Sequence, residues 1–281
     1  MADPRSAKTV TDALNARFGE TLPVDVNLTG LAELAQMASR KVHRRYLDRG
    51  IDPALLRTLC ALALSAPSKS DLQQCDILIV SDPGKRKIIA DLLPDQPWVR
   101  AAPAFLVILA NGRRLPEIAR MRGKPFPNDH LDQFFNAAVD AGIVLATFLR
   151  AADAAGLGTC PISVIRDHSA KVSELLELPQ RVIPVCGLCV GWPAEQGHIS
   201  ARLGLESTVH ENRYDEGNLS ERIDAYDRRR HAIHAYRNPR DPARWGEAAF
   251  YGWSEDKARQ YGVPQRADFG AFVRAKGFKL D

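Results

Sequence analysis

The run Asp132-Gln133-Phe134-Phe135-Asn136-Ala137-Ala138-Val139-Asp140-Ala141-Gly142-Ile143-Val144-Leu145 continues to Ala155 with Arg150 and Asp153 as its only further charges. It is alanine-rich and apolar on almost every face, and Gly156 stands where a helix C′ residue takes a left-handed conformation, so the pattern predicts a helix over 132–155. A helix that is apolar all round must be covered all round, which places it at the centre of the fold or in a subunit interface. Outward from it, Ala104–Ala110 reads as a fully buried strand, Asp76–Ser81 as another, and Val182–Gly191 as a third that ends at Gly191-Trp192-Pro193. Helical patterns cover Leu31–Ser39, the stretch from the capping pair Asp52-Pro53 to the stop at Ala66-Pro67, and Ser169–Leu178. Strands interspersed with helices, without a repeating period, imply an α+β or mixed α/β fold.

The chain has 281 residues, 38 Lys+Arg against 34 Asp+Glu, a formal charge of +4, 45% apolar and 26% charged residues. That balance excludes disordered, collagen-like and low-complexity classes. The expected organisation is an N-terminal arm over residues 1–30, with one short helical pattern around Thr11–Phe18, then a core over 31–214, then an arginine-rich extension over 215–281 that wraps the core. The apolar runs Ala101–Ala110 and Val182–Gly191 fall short of the roughly 20 residues that cross a bilayer. The opening Met1-Ala2-Asp3-Pro4-Arg5 lacks the apolar stretch of a secretory signal. A cytoplasmic protein with no membrane partner is expected.

The five cysteines, Cys60, Cys75, Cys160, Cys186 and Cys189, show no disulfide-framework spacing. Cys186 and Cys189 have C-x-x-C spacing, but they lie in a β-prone apolar run where residues three apart point to opposite faces. A redox dithiol instead opens a helix, and no second pair completes a zinc site. His231 and His234 share a helix face without a carboxylate at ligand spacing, so they read as solvated histidines and no metal is expected. No nucleophile elbow, zincin motif, Walker A loop or G-x-G-x-x-G is present, and Gly156-Leu157-Gly158 lacks the third glycine of a dinucleotide fingerprint. What remains are cations and hydroxyls at element ends: Arg40, Lys41 and Arg44; Ser68, Lys69 and Ser70; and Arg202. Together they suit a phosphorylated ligand, because cations and hydroxyls bind phosphate oxygens strongly.

At these residues the chain resembles the FMN-dependent nitroreductase superfamily, in its oxygen-insensitive NADPH nitroreductase and flavin reductase branch. Arg40-Lys41-Val42-His43-Arg44-Arg45-Tyr46-Leu47-Asp48 is similar to the N-terminal signature, and Ala66-Pro67-Ser68-Lys69-Ser70-Asp71-Leu72-Gln73 to the second flavin loop. Gln96-Pro97-Trp98-Val99 and Ala155-Gly156-Leu157-Gly158-Thr159 resemble the middle region. Leu175–Pro184, Gly187–Pro193 and Val209-His210-Glu211-Asn212 resemble the branch itself. The resemblance runs from about Leu31 to Tyr214 and more weakly to Arg237.

It implies an α+β homodimer with a central mixed or antiparallel sheet flanked by helices, a long buried helix at the dimer interface, and FMN at two interface sites. Carried over position by position, Arg40, Lys41, Val42, His43 and Arg44 match the first flavin segment, Ser68, Lys69 and Ser70 the second, and Gln96 a further contact. Pro161, Ile162, Ser163 and Val164 match the stretch along one flavin face, and Arg202 a phosphate-binding arginine. Arg237, with Arg240 beside it, matches an anchor for the 2′-phosphate of NADPH. Departures are Arg40-Lys41-Val42 where the family has His-Arg-Ser, Ser200 where it has lysine, and Ser163-Val164 where it has a glycine pair.

The implied reaction is ping-pong hydride transfer from NAD(P)H, with NADPH preferred, through flavin N5 to a nitroaromatic, a quinone or a related small-molecule acceptor. No side chain is needed as nucleophile or general base. Acceptor specificity is expected in the insertion Gly112–Asn128. The alternatives are a flavoenzyme of the same fold specialised for one acceptor (free flavin, an enone or a halogenated aromatic) and a non-enzymatic nucleic-acid-binding or regulatory module. A charge of only +4 without a recognised motif argues against a nucleic-acid partner.

Overall fold

The computed structural model describes residues 2–281. In chain order its elements are α1 (Pro4–Phe18), α2 (Leu31–Ser39), α3 (Pro53–Leu64), β1 (Cys75–Ile79), α4 (Pro83–Leu92), α5 (Trp98–Ala101), β2 (Ala104–Asn111), α6 (Arg114–Met121), α7 (Leu131–Ala154), β3 (Gly158–Ile162), α8 (Ser169–Leu175), β4 (Val182–Gly191), α9 (Leu219–His234), α10 (Pro242–Trp245), α11 (Trp253–Tyr261) and α12 (Phe269–Ala275). The fold is α+β. Contacts divide it into two units, one made of residues up to Lys41 with His198–Gln265, the other of Val42–Gly197 with Arg266–Asp281. These boundaries differ from those expected at residues 30 and 214. Residues 211–220, where the composition turns polar, are exposed.

In the larger unit four strands run in the order β1-β2-β4-β3, and every neighbouring pair is antiparallel. β2 is buried along its whole length because both faces of the sheet are covered. On one face Phe105, Val107 and Leu109 meet Cys160, Ile162 and Cys189 beneath Ile89 of α4 and Val172 of α8. On the other, Leu106 and Ile108 meet Leu188 and Val190 beneath Leu56 and Leu59 of α3 and Val144 and Phe148 of α7. The register between β2 and β4 shifts between Ile108 and Leu109, where Pro184 stands opposite Leu109. Proline has no amide hydrogen for the ladder and is tolerated in a sheet at such an irregularity.

The capping signals act as read. Asp52 accepts from the Ala54 amide at 2.8 Å at the start of α3, and Gly156 closes α7 with φ +76°. α7 departs from expectation in one respect. Ala137, Asp140, Ala141, Val144, Phe148 and Ala152 are buried on one face, but Leu131, Phe135 and Val139 are 50%, 60% and 40% exposed, so this chain alone does not cover the helix all round. Among the described residues α7 is the one helix long and apolar enough to cross a bilayer. It packs on β2 and α3 and buries Gln133 and Asp140, as a core helix does. Near the chain end, Asp129 accepts two parallel bonds from Arg181 at 2.6 and 2.7 Å, with Lys279 at 3.2 Å.

In the smaller unit the helical pattern expected around Thr11–Phe18 belongs to a longer helix, α1, over Pro4–Phe18. Asp3 caps α1 by accepting from the Ser6 amide at 3.1 Å, Pro4 occupies its first turn, and Gly19 ends it with φ +76°. Val10 and Ala13 of α1 pack against Ala35 and Ala38 of α2. Tyr226 of α9 meets Trp253 of α11 edge to face, and the buried Asp227 accepts from the Ser254 amide at 3.0 Å.

Candidate functional site

Two clusters carry the sequence-predicted residues, one in each unit. In the smaller unit the last turn of α1 delivers Arg17 to the C-terminal end of α2. Its guanidinium donates to the carbonyls of Ala38 (2.9 Å), Arg40 (2.8 Å) and Ser200 (3.2 Å), and its own carbonyl accepts from the Arg202 amide at 2.7 Å. Arg229 of α9 closes the group by donating to the carbonyls of Arg17, at 3.1 Å, and of Arg202. One side chain therefore fixes the backbone of two segments that the sequence singled out separately, 38–40 and 200–202.

Arg17, Arg40, Arg202 and Arg229 bring four guanidinium side chains to these segments. Burial, and after it the neighbouring Arg202 and Arg40, hold the Arg17 guanidinium below its ordinary pKa. Cations gathered at this density are stabilised by a multivalent anion, and guanidinium forks match phosphate oxygens in geometry. The arrangement thus fits the dianionic phosphate of FMN at Arg40 and Arg202. Arg17 and Arg229 were not among the predicted site residues. Neither lies in a recognisable motif, and Arg228-Arg229-Arg230 reads in sequence as a solvated basic run. Lys41 follows directly on Arg40 and is half-buried.

Arg237 and Arg240 occupy the same unit in different settings. Arg237 is exposed in the segment after α9. The Arg240 Nε pairs with the buried Asp256 at 3.0 Å, its amide donates to the Tyr251 hydroxyl at 2.8 Å, and its carbonyl accepts from Arg259 at 3.1 Å. Arg240 ties the segment between α9 and α10 to α11, which leaves Arg237 as the arginine of the pair open to a ligand. His234 stacks on His198 with ring centroids 4.6 Å apart.

In the larger unit Val42, His43 and Arg44 run beside β3. The His43 amide donates to the Thr159 carbonyl at 3.0 Å, and the Tyr46 hydroxyl to the His43 carbonyl at 2.7 Å. Burial raises the Tyr46 hydroxyl above its ordinary value, so it stays a donor. Gly158 allows this close approach, because a Cβ there would stand 2.7 Å from the His43 ring. Val42 packs into the core, while Arg44 is exposed with its guanidinium 5.2 Å from the Trp98 ring centroid, two residues from the half-buried Gln96. Along β3 and the turn after it, Ile162 points into the core, Pro161 and Val164 are half-buried and Ser163 is exposed. Pro161 and Ser163 therefore present their side chains outward, and Ile162 offers its backbone.

The Ser68 loop is held by Asp140, a carboxylate only 3% exposed on α7. Asp140 accepts from the Ser68 hydroxyl at 2.7 Å and from the Gln74 amide at 2.9 Å, while the Ser68 oxygen accepts from the Gln73 amide at 2.8 Å. The Ser68 hydroxyl is thus committed to shaping the loop. Between these anchors Ser70, Asp71 and Gln73 hold φ values of +49°, +57° and +52°, left-handed conformations that cost of order 1 kcal/mol or more per residue and persist where the surroundings over-determine them. Lys69 reaches Asp132 at 3.2 Å across the surface. Arg114 of α6 binds both the Gln73 carbonyl and Asp76, which joins the predicted specificity insertion to the same loop. Asp140 carried no signal of its own in sequence, since an aspartate in an apolar helix is visible but its partners 66 and 72 residues away are not.

The C-x-x-C pair lies within β4. Both cysteines are buried, and burial pushes the Cys186 thiol up to about 11 and raises Cys189 as well, away from the thiolate that redox or metal chemistry needs.

Residues 37–192 match the model of the Nitroreductase family, and residues 200–281 that of the Nitroreductase family, C-terminal domain. The NAD(P)H-type FMN reductase of Bacillus subtilis strain 168 is 32% identical over 242 residues, covering 85% of this chain and 94% of that protein. The oxygen-insensitive NADPH nitroreductase of Salmonella typhimurium is 34% identical over 174 residues, 61% of this chain and 70% of its own length. Among solved structures, the NADPH:FMN oxidoreductase of Vibrio harveyi complexed with NAD+ superposes with a TM-score of 0.75 at 27% identity, covering 87% of this chain and 97% of that one.

Proposed function

The chain belongs to the nitroreductase family, and on that premise we propose that it is an FMN-dependent oxidoreductase that uses NAD(P)H, with NADPH preferred, to reduce nitroaromatics, quinones or related small-molecule acceptors. The observation that carries this reading is the cluster in which Arg17 gathers the Arg40 and Arg202 segments into one cationic site. Bound FMN supplies the hydride chemistry. The chain's own residues bind and orient. Arg40 and Arg202 hold the phosphate, Arg17 fixes the backbone that carries them, and Lys41 and Arg44 supply positive charge toward the flavin ring. Val42, His43, Gln96 and the stretch Pro161–Val164 shape the ring's surroundings, and the loop of Ser68, Lys69 and Ser70 is set in position by Asp140. Arg237 anchors the 2′-phosphate that separates NADPH from NADH.

The chain works as a homodimer. Support comes from Leu131, Phe135 and Val139, which form an exposed apolar stripe at helical spacing on α7, and from Leu62 and Leu64, exposed on α3 packed beside it. A second copy placed on this face would complete the cover that an all-apolar helix requires. The protein acts in the cytoplasm on small molecules, without a nucleic-acid or membrane partner. Acceptor choice resides in 112–128, where α6 exposes Ile118 and Met121 and is tied by Arg114 to the Ser68 loop.

A visible absorption spectrum of the purified protein, taken before and after anaerobic addition of NADPH and then NADH, tests the reading. Flavin bands that bleach faster with NADPH are expected. A protein that is colourless and stays without flavin bands after reconstitution with FMN overturns it.

A further inference from the structure

Away from the residues assigned to flavin, the larger unit contains a cavity of about 460 Å³ between the segment 47–50, α4 and α5. That volume lies within the range of small-molecule sites, roughly 300–1,000 Å³. Its apolar lining comprises Leu47, Pro83 and Ala101, which are exposed, and the half-buried Pro103, over the buried Val99 and Ala102. Its walls carry Arg49, Arg86, Lys87 and Arg100.

These four cations are undercompensated. Lys87 and Arg100 share one carboxylate, Asp91, and the remaining carboxylate at the cavity is Asp48. Arg86 donates to the backbone carbonyls of Pro103 and Ala102 and forms no ion pair among the described residues, so its charge stays whole while its position is fixed. The Arg49 guanidinium carbon stands over the Trp192 ring, 3.9 Å from its centroid, and Arg49 likewise forms no ion pair among the described residues. A cation–π contact positions a guanidinium without using its N–H groups as donors to an anion. Two cations immobilised without an anion, beside two more that divide a single carboxylate, leave the cavity short of about two negative charges.

We propose that this cavity is a binding site for a small organic dianion bearing an apolar ring, with the ring against Leu47, Ala101 and Pro103 and the anionic group between Arg49 and Arg100. The site is independent of the flavin reading, since none of its residues is assigned to FMN or NADPH. A phosphate monoester and a dicarboxylate share the required chemistry, and the probes below separate the ring's contribution from the charge's.

The test is isothermal titration calorimetry on the full chain reconstituted with FMN and then freed of unbound FMN, so that a phosphate-bearing probe does not enter the flavin site and no free FMN competes for the cavity. Phenyl phosphate is the probe, with inorganic phosphate and benzoate as charge-only and ring-with-one-charge controls. One saturable site per chain is expected for phenyl phosphate, at least about tenfold tighter than for either control, and about tenfold weaker again in the double variant Arg49→Ala/Arg100→Ala. Both side chains are exposed, so the double variant is expected to fold, and unchanged FMN content checks that it has. Absence of saturable binding, binding unchanged in the double variant, or inorganic phosphate binding as tightly as phenyl phosphate would each overturn the proposal.

Discussion

Arg17 and Asp140 do the same work in the two units with opposite charge. Arg17 gathers carbonyl oxygens from 38–40 and 200 around a cation, and Asp140 gathers an amide and a hydroxyl from 68–74 around an anion. Their surroundings differ. Arg17 is half-buried among further arginines that lower its pKa, whereas Asp140 is almost wholly buried and meets neutral donors on Oδ2 alone, its Oδ1 having no hydrogen-bond partner. A buried charge that meets neutral donors shapes a loop, and a charge held among like charges also prepares a site for a ligand of opposite sign. Stability should therefore follow Asp140, and ligand affinity Arg17.

The largest expected effect comes from Asp140→Ala, which leaves the Gln74 amide and the Ser68 hydroxyl without their acceptor inside the protein. A loss of about 2–4 kcal/mol in urea-unfolding stability is expected, with Asp140→Asn costing less because one acceptor oxygen remains. Equal losses in both variants would show that the charge, not the acceptor, holds the loop. Arg17→Met keeps the aliphatic stem but removes the clamp, and should cost only about 1–2 kcal/mol while lowering FMN affinity at least about tenfold. If Arg17→Met and Asp140→Asn lower FMN affinity equally, the contrast between the two clusters fails.

The Asp129–Arg181 pair offers a third case, a part-buried charge that meets its opposite directly. Hydrogen bonding from Arg181 is the main cause that holds the Asp129 carboxyl below the usual carboxylate range. With the folded-state value depressed, the pair stabilises the chain above the ordinary carboxylate pKa of about 3.9, and that contribution is lost as pH falls through the folded value. Arg181→Ala should cost about 2 kcal/mol at pH 7 and less in acid, where the carboxylate is protonated anyway. A loss independent of pH would remove the charge from this account. Smaller still, Arg237→Ala should leave stability unchanged and raise the KM for NADPH while barely altering that for NADH, and equal effects on both would take Arg237 out of the 2′-phosphate role.

What the sequence made legible were features written in short spacings. The extent of α7 followed from its unbroken apolar pattern and Gly156, the start of α3 from Asp52-Pro53, and the strands β1, β2 and β4 from their apolar runs. The cover of α7 was not legible, because a helix presented to a second copy and one buried within its own chain share a pattern. α1 was underestimated, since its apolar face is made of small residues, Ala7, Val10 and Ala13, that carry weak periodic signal. In the candidate site, Arg40 and Arg202 could be picked out as cations at element ends. Arg17 could not, because it acts on carbonyls 21 to 183 residues away in sequence. Ser68 and Arg240 were visible as polar groups, but whether a polar group serves a ligand or its own backbone is decided by partners such as Asp140 and Asp256 that only the fold brings close.

The central claim is that the arginine cluster of the smaller unit takes the phosphate of FMN, and the most direct test compares the affinity of the apoprotein for FMN and for riboflavin, which differ by that phosphate alone, in the wild-type chain and in Arg202→Ala. FMN binding at least about tenfold tighter than riboflavin in the wild type, with the difference largely abolished in the variant, is the predicted result. Equal affinities in the wild type, or a difference that survives in Arg202→Ala, would contradict it.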